Sequence, residues 1–507
     1  MKIKSFLHYL CTLIVFMAVS GQASADNKVT IFIAGDSTAA SYSDPDQQGW
    51  GAVLQHYFDP TQAVVVNKAR GGRSARTFIS EGLWDELINQ VNAGDYVVIQ
   101  FGHNDAGPIN DNHRARGSLP GIGNESQVID NLITQKTETV YTFGHYVRSM
   151  IEQVQAKKAT PILLSLTQRQ VWQNGRIERA SAYGRWMYEL ALENDIAFID
   201  INNLVADKFD ALGEAETKKF FVKDYVHFNQ EGATIHAETF VSSLKGARIE
   251  GIEPLLNDVG RALPTDTFAW LRLPVPANLH LRSIFLIGDS TVRNGRGDGS
   301  NGEWGWGDYL HEFINTKKVN IVNRAIGGLS SRTFYTGDNW QRTLNMIKPN
   351  DILIIQFGHN DAADINDATR ARGTLKGIGI EYRDIINQLT HQPERVFTYG
   401  EYLRKFISEA RARGAITIVN SPVPRNRWEK GRIIETPNSY ADWAKIVAIQ
   451  TNSLFIDLNH TVAQQYNLLG KRKVQKLFAD EHTHTNEDGA RMNAEQVAKT
   501  LTPLLHL

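Results

Sequence analysis

The sequence predicts an α/β protein made of two tandem copies of one domain, each with a parallel five-stranded sheet. Two observations predict it. The chain repeats itself at a steady interval, and within each repeat short β-branched runs alternate with amphipathic stretches. QFGHNDA at Gln100–Ala106 returns at Gln356–Ala362, and RARGSLPGIG at Arg114–Gly123 returns as RARGTLKGIG at Arg370–Gly379. VYTFGHY at Val140–Tyr146 returns as VFTYGEY at Val396–Tyr402, and all three offsets are 256. GDST begins at Gly35 and Gly288, an offset of 253. A period this long is not a solenoid repeat, so each copy must carry its own core. The copies fall at 26–250 and 283–507. Residues 251–282 contain Pro254, Pro264, Pro274 and Pro276 and read as a linker free to pack on either domain.

In the first copy, Val29–Ile33, Val64–Asn67, Tyr96–Phe101, Ile162–Leu166 and Ala197–Ile201 read as strands buried on both faces. Tyr146–Lys157 has Val147, Met150, Ile151 and Val154 at helical spacing. The second copy repeats the strands at Ile284–Ile287, Asn320–Asn323, Ile352–Phe357, Ile416–Val419 and Leu454–Leu458. Strand–helix alternation predicts a parallel sheet with helices on both sides. Such sheets bind ligands outside the carboxyl ends of their strands. GDST, the Gly-Gly-Arg segment and GHND all follow strands directly.

Ahead of the first copy, Lys2 and Lys4, the apolar run Phe6 to Val19 and the small residues Ala23-Ser24-Ala25 read as a signal segment over 1–25. The run falls short of the about 20 apolar residues a spanning helix needs. Its removal takes away Cys11, the single cysteine, and two lysines, so no disulfide is expected. The expected location is secreted or periplasmic, with no membrane partner after cleavage. Lys+Arg number 54 and Asp+Glu 55, so no overall positive field favours nucleic acid.

Ser37 follows the first strand in GDST. A serine hydroxyl needs a base to take its proton. His227, with Asp224 three residues before it, supplies an imidazole and a carboxylate to orient it. Acyl transfer also needs donors for a developing oxyanion. The backbone N–H groups of Ser37 and Gly72 and the side-chain amide of Asn104 are the candidates. The second copy keeps Ser290, Gly328, Asn360 and His484 at the matching places. Three residues before His484 stands Glu481 rather than aspartate, and Asp480 is four before. Glu481 takes the matching position as candidate orienter, with Asp480 the alternative after a loop shift.

GDST, the glycine of the second block, GHND and the late Asp-x-x-His together resemble the four blocks of the GDSL/SGNH hydrolases. The fuller strings GGRSART, QFGHND and the late histidine followed by Asn and Gly resemble rhamnogalacturonan acetylesterases, which deacetylate pectin. The resemblance runs through most of both copies. It implies a three-layer α/β/α, flavodoxin-like fold for each and a site at Ser37, Gly72, Asn104, Asp224 and His227. It also implies an acetylated polysaccharide or oligosaccharide as substrate, and no metal or organic cofactor. His482-x-His484 is read as the family histidine with a neighbour, not a metal pair. The Gly-rich stretch Asn294–Gly307 lacks the Gly-Lys-Ser/Thr of a phosphate loop and is read as an enlarged loop.

Arg70, Arg73, Arg76, Arg114 and Arg116, with Arg324, Arg332, Arg370 and Arg372 in the second copy, are expected near the sites. Guanidinium groups suit a substrate bearing carboxylates and serve equally as structural ion pairs. Trp172 and Trp428 are candidates for stacking on a sugar ring or for core packing. Two other readings stay open. One is a lipase, thioesterase or arylesterase on the same fold. The other is one active copy beside a second that only binds polysaccharide.

Overall fold

The computed structural model describes residues 28–179, 182–222 and 224–505. The signal segment predicted at 1–25 lies outside the described residues. The first copy has a five-stranded parallel sheet of β1 (Val29–Gly35), β2 (Ala63–Asn67), β3 (Tyr96–Gln100), β4 (Thr160–Leu164) and β5 (Ala197–Ile199), in the order β2-β1-β3-β4-β5. The second has β6 (Arg282–Gly288), β7 (Val319–Asn323), β8 (Ile352–Gln356), β9 (Ile416–Asn420) and β10 (Leu454–Ile456), in the order β7-β6-β8-β9-β10. The order reverses at β1 and at β6, which opens a crevice between the carboxyl ends of β1 and β3, and of β6 and β8.

The apolar runs are continuous because both faces of each sheet are covered. Ile31 and Ile33 point into one cluster with Ala237, Phe240, Val241 and Leu244 of helix α2 (Gln230–Gly246). Phe32 and Ala34 point the other way, onto Val147, Met150, Ile151 and Val154 of helix α1 (Phe143–Ala156). Alternate residues of one strand therefore serve two layers. In the second copy Ile284 and Leu286 face α4 (Glu487–Leu505), and Phe285 and Ile287 face α3 (Tyr399–Ala412). This is the three-layer architecture the resemblance implied.

Residues 251–282 are shared between the two cores. Ile252, Leu255, Leu256 and Ala269 are buried in the first copy's cluster. Leu271 is buried in the second copy's, with Phe268, Trp270, Leu273 and Val275 packed against it. Arg272 reaches Asp200 at 3.1 Å, and Arg342 reaches Asp266 at 3.1 Å.

A two-stranded hairpin, Ser126–Asp130 with Thr137–Tyr141, extends from the first sheet's carboxyl edge, and Tyr382–Ile386 with Pro393–Phe397 repeats it. Sequence periodicity did not reveal these hairpins, whose outer faces are exposed. Each is tied down by a buried arginine. Arg76 donates to both oxygens of Glu138 at 2.7 and 2.6 Å and to the carbonyls of Ile109 and Gly117. Arg332 does the same with Glu394, Ile365 and Gly373. These two arginines are structural ion pairs. Removing one partner of a buried pair strands the other, at about 3–5 kcal/mol. Arg76→Leu is expected to destabilise the first copy by about that much, read as a lower denaturant midpoint, while Val128→Thr on the exposed hairpin face leaves it unchanged within roughly 0.5 kcal/mol.

Candidate active site

Three loops meet at each sheet's carboxyl edge. Just past β1, the Asp36 carboxylate accepts from the backbone N–H and the hydroxyl of Thr38, at 2.9 and 2.8 Å. This closes the turn that carries Ser37. Asp289 and Thr291 close the turn of Ser290 in the same way, at 3.0 and 2.7 Å. The second loop passes beside the serine. A Cβ on Gly71 would lie 3.8 Å from the Ser37 Cβ, and one on Gly327 would lie 3.4 Å from that of Ser290. Gly72 (φ +80°) and Gly328 (φ +85°) follow in the left-handed region, which a bare Cα enters without steric cost. Ser74 and Ser330 then cap short helices through reciprocal bonds with Thr77 and Thr333.

The third loop supplies Asn104 and Asn360. Asn104 Nδ2 donates to the Arg73 carbonyl at 2.8 Å, and Asn360 Nδ2 donates to that of Leu329 at 2.9 Å. One amide hydrogen fixes each side chain, and its second hydrogen is left for another acceptor. Next in sequence, buried Asp105 accepts from Ala75 N at 3.1 Å and from Ser118 Oγ at 2.9 Å. Burial outweighs these bonds and lifts its carboxyl to about 7, as it does for Asp361.

The imidazoles come from the loop before the last helix. His227 Nδ1 lies 2.7 Å from Asp224 Oδ2, while Asp224 Oδ1 accepts from the N–H groups of Val226 and His227. Burial opposes the charged form of Asp224, but these backbone bonds and the imidazole more than offset it and hold the carboxyl below the usual range. In the second copy a continuous chain runs from Ser290 Oγ to His484 Nε2 at 2.9 Å and from His484 Nδ1 to Asp480 Oδ2 at 2.8 Å.

Here the expectation for Glu481 is corrected. The loop between the bridging pairs Phe221–Phe228 and Phe478–Thr485 has the same length in both copies. The acceptor simply sits one residue earlier, at Asp480. Its Oδ1 receives the N–H groups of His482, Thr483 and His484 at 2.9, 2.6 and 2.9 Å. A short carboxylate can fold back on its own following backbone in this way, which the longer glutamate arm does less readily. Glu481 contributes only its backbone carbonyl, to Asn426. Burial again opposes charging of Asp480, and the N–H groups of His484 and Thr483 outweigh it, so this carboxyl too lies below the ordinary range.

Ser37, Gly72, Asn104 and His227 line one cavity of about 660 Å³, together with His103, Arg73, Arg114, Arg116 and Arg169. Arg116 donates to the Gly72 carbonyl at 3.0 Å, and Arg372 to that of Gly328 at 2.7 Å. Arg324, by contrast, is buried and bonds the Pro274 carbonyl, away from the site. Arg70 and Arg370 are exposed. Trp172 and Trp428 are half-buried against the cores.

Arg169 was not foreseen, nor was Glu303, whose Oε1 lies 3.6 Å from His484 Nδ1. Ligand atoms of Glu303, Asp480 and His484 lie within 4.8 Å of one another, a spacing that a divalent cation could bridge. The same imidazole nitrogens, however, already face Ser290 and Asp480. The Ser290–His484–Asp480 arrangement suits withdrawal of a serine proton by a held imidazole.

The sequence model of the GDSL-like Lipase/Acylhydrolase family matches residues 33–235 and 286–492. The chain belongs to this family. Among its relatives within GDSL-like hydrolases, the rhamnogalacturonan acetylesterase of Emericella nidulans is 35% identical over 231 residues, covering 45% of this chain and 88% of that protein. A probable rhamnogalacturonan acetylesterase of Bacillus subtilis is 32% identical over 226 residues, covering 44% and 93%. A crystal structure of a Bacillus subtilis protein is similar at 29% identity with a TM-score of 0.37, covering 44% of this chain and 58% of that one. Among the described residues, no helix of this tandem GDSL-like hydrolase is long and apolar enough to cross a membrane.

The raised carboxyl of Asp105 fixes the sign of a pH effect. The folded state holds its proton to about pH 7. The unfolded chain releases it near pH 4. Its contribution to stability is therefore fully present below about pH 4 and is lost as pH rises through about 7. Asp105→Asn is expected to flatten the pH dependence of stability in that window, measured by denaturant titration at pH 4, 5.5 and 7.

Proposed function

We propose that this chain is an exported carbohydrate esterase whose two copies both remove acetyl groups from rhamnogalacturonan. One observation carries the reading: the continuous Ser290–His484–Asp480 chain of hydrogen bonds, beside Gly328 and Asn360. The same residue types stand at Ser37, His227, Asp224, Gly72 and Asn104. The acetylesterase relatives and the arginines around the first cavity support an acetylated, carboxylate-bearing glycan. The signal-like start at 1–25 supports export to the periplasm or beyond.

In the proposed mechanism Ser37 or Ser290 Oγ attacks the acetyl carbonyl carbon while the imidazole Nε2 accepts the hydroxyl proton. Asp224 or Asp480 holds the ring in the tautomer with its proton on Nδ1 and stabilises the imidazolium. The carbonyl oxygen becomes an oxyanion. It faces the N–H groups of the serine and of Gly72 or Gly328, and the free amide hydrogen of Asn104 or Asn360. As the sugar–oxygen bond to the acetyl carbon breaks, the imidazolium returns its proton to the sugar oxygen. Water, deprotonated by the same imidazole, then attacks the acetyl-serine; as the bond from the acyl carbon to serine Oγ breaks, the imidazolium returns its proton to Oγ and acetate leaves. Every step uses side chains and backbone of this chain.

Acetate release from acetylated rhamnogalacturonan tests this with Ser37→Ala, Ser290→Ala and the double variant. Each single variant should keep the other site's share, and the double variant should release none. A double variant as active as the unaltered protein would overturn the proposal. In the Ser290→Ala background, Asn104→Ala is expected to lower kcat by about 10²–10³ while KM moves little.

A further inference from the structure

The two sites differ at a charged position beside the imidazole. In the first copy, Gln48 N donates to the Phe228 carbonyl at 3.0 Å. In the second, Trp304 N donates to the Thr485 carbonyl at 2.8 Å. These bonds put Gln48 and Trp304 in register, so neutral Gln47 corresponds to Glu303. Gln47 is engaged by Tyr42, whose hydroxyl also bonds the Ser37 carbonyl at 3.0 Å. The second copy has no tyrosine there. Its loop from Asn294 to Gly302 is longer and folds over Trp304, with Gly299 (φ +73°) so close that a Cβ would meet the indole at 2.5 Å. Asn294 Nδ2 donates to Glu303 Oε2. Glu303 Oε1, the other oxygen, is left facing His484 Nδ1 at 3.6 Å, on the same nitrogen that Asp480 Oδ2 holds at 2.8 Å.

We propose that Glu303 is a second orienting carboxylate for His484, so that the second site works with two positioning acids where the first works with one. This rests on the esterase reading above. The imidazole Nδ1 carries a single proton. It goes to Asp480 in the arrangement seen, and a small rotation of the ring presents it to Glu303 instead. Either acceptor keeps Nε2 unprotonated and turned toward Ser290. The clamp by Asn294 spares Glu303 Oε1 for this use and holds the long glutamate arm in place. A glutamate there for loop packing alone would be indifferent to the loss of Asp480.

The test uses the full chain with one nucleophile silenced and a chelator present, so that no bound cation stands in for orientation. Asp224→Asn in the Ser290→Ala background is expected to lose on the order of 10⁴ in kcat, as removal of a lone orienting carboxylate does. Asn at either position keeps the oxygen that caps the loop. Asp480→Asn in the Ser37→Ala background should lose roughly tenfold less, and adding Glu303→Gln should erase that difference, with KM little changed throughout. Equal losses for Asp224→Asn and Asp480→Asn, with no further effect of Glu303→Gln, overturn the proposal. A second readout needs no turnover. The far-downfield Nδ1–H proton resonance of His484, assigned by its absence in His484→Gln, should survive Asp480→Asn and vanish when Glu303→Gln is added. If Ser37→Ala protein shows no Ser290-dependent hydrolysis, the esterase reading fails for this copy, and the resonance alone decides the role of Glu303.

Discussion

A buried carboxylate holds each site together. Asp105 receives the first N–H of the helix Ala75–Ser80 and the hydroxyl of Ser118, while the preceding residue, Asn104, bonds back to the Arg73 carbonyl. The glycine loop, the asparagine loop and the start of the hairpin region are thus fastened through one pair of adjacent residues. Asp361 and Asn360 repeat the device against Ser331 and Leu329. A sheet covered on both faces leaves its polar work to the strand ends. Those ends are irregular backbone whose N–H groups need acceptors. Aspartates fill that need in both copies: Asp36, Asp105 and Asp224 in the first, and Asp289, Asp361 and Asp480 in the second, each accept at least one N–H from their own or a neighbouring loop.

Much of this was legible in the chain. The central strands could be read because burial on both faces leaves unbroken apolar runs such as Ile352–Gln356. The positions of Ser37, Gly72, Asn104 and His227 could be read because each stands just past a strand or just before a helix. What escaped had weaker local marks. The hairpin Tyr382–Ile386 with Pro393–Phe397 has an exposed, mixed face and no clean alternation. The choice between Asp480 and Glu481 turned on how a short side chain caps its own loop, which spacing counted back from the histidine does not express. Glu303 arrives from a loop nearly two hundred residues from His484, so nothing local could announce it.

Arginine divides into distinct uses that composition alone merges. Arg76 and Arg332 are core fasteners. Arg116 and Arg372 hold the carbonyl on the far side of a site glycine, which steadies the peptide that bears its neighbours. Arg114 stands exposed at the cavity mouth. Identical residue types in one repeated block thus range from a buried strut to a free guanidinium within 40 residues.

The strap between the copies passes from one core to the other within two residues, with Ala269 in the first cluster and Leu271 in the second. Such a hand-over leaves no slack segment to act as a tether. The two copies are therefore not beads on a slack string. For any ligand long enough to touch both, the chance of meeting the second mouth while held at the first is set by a fixed span, not by the statistics of a loose linker.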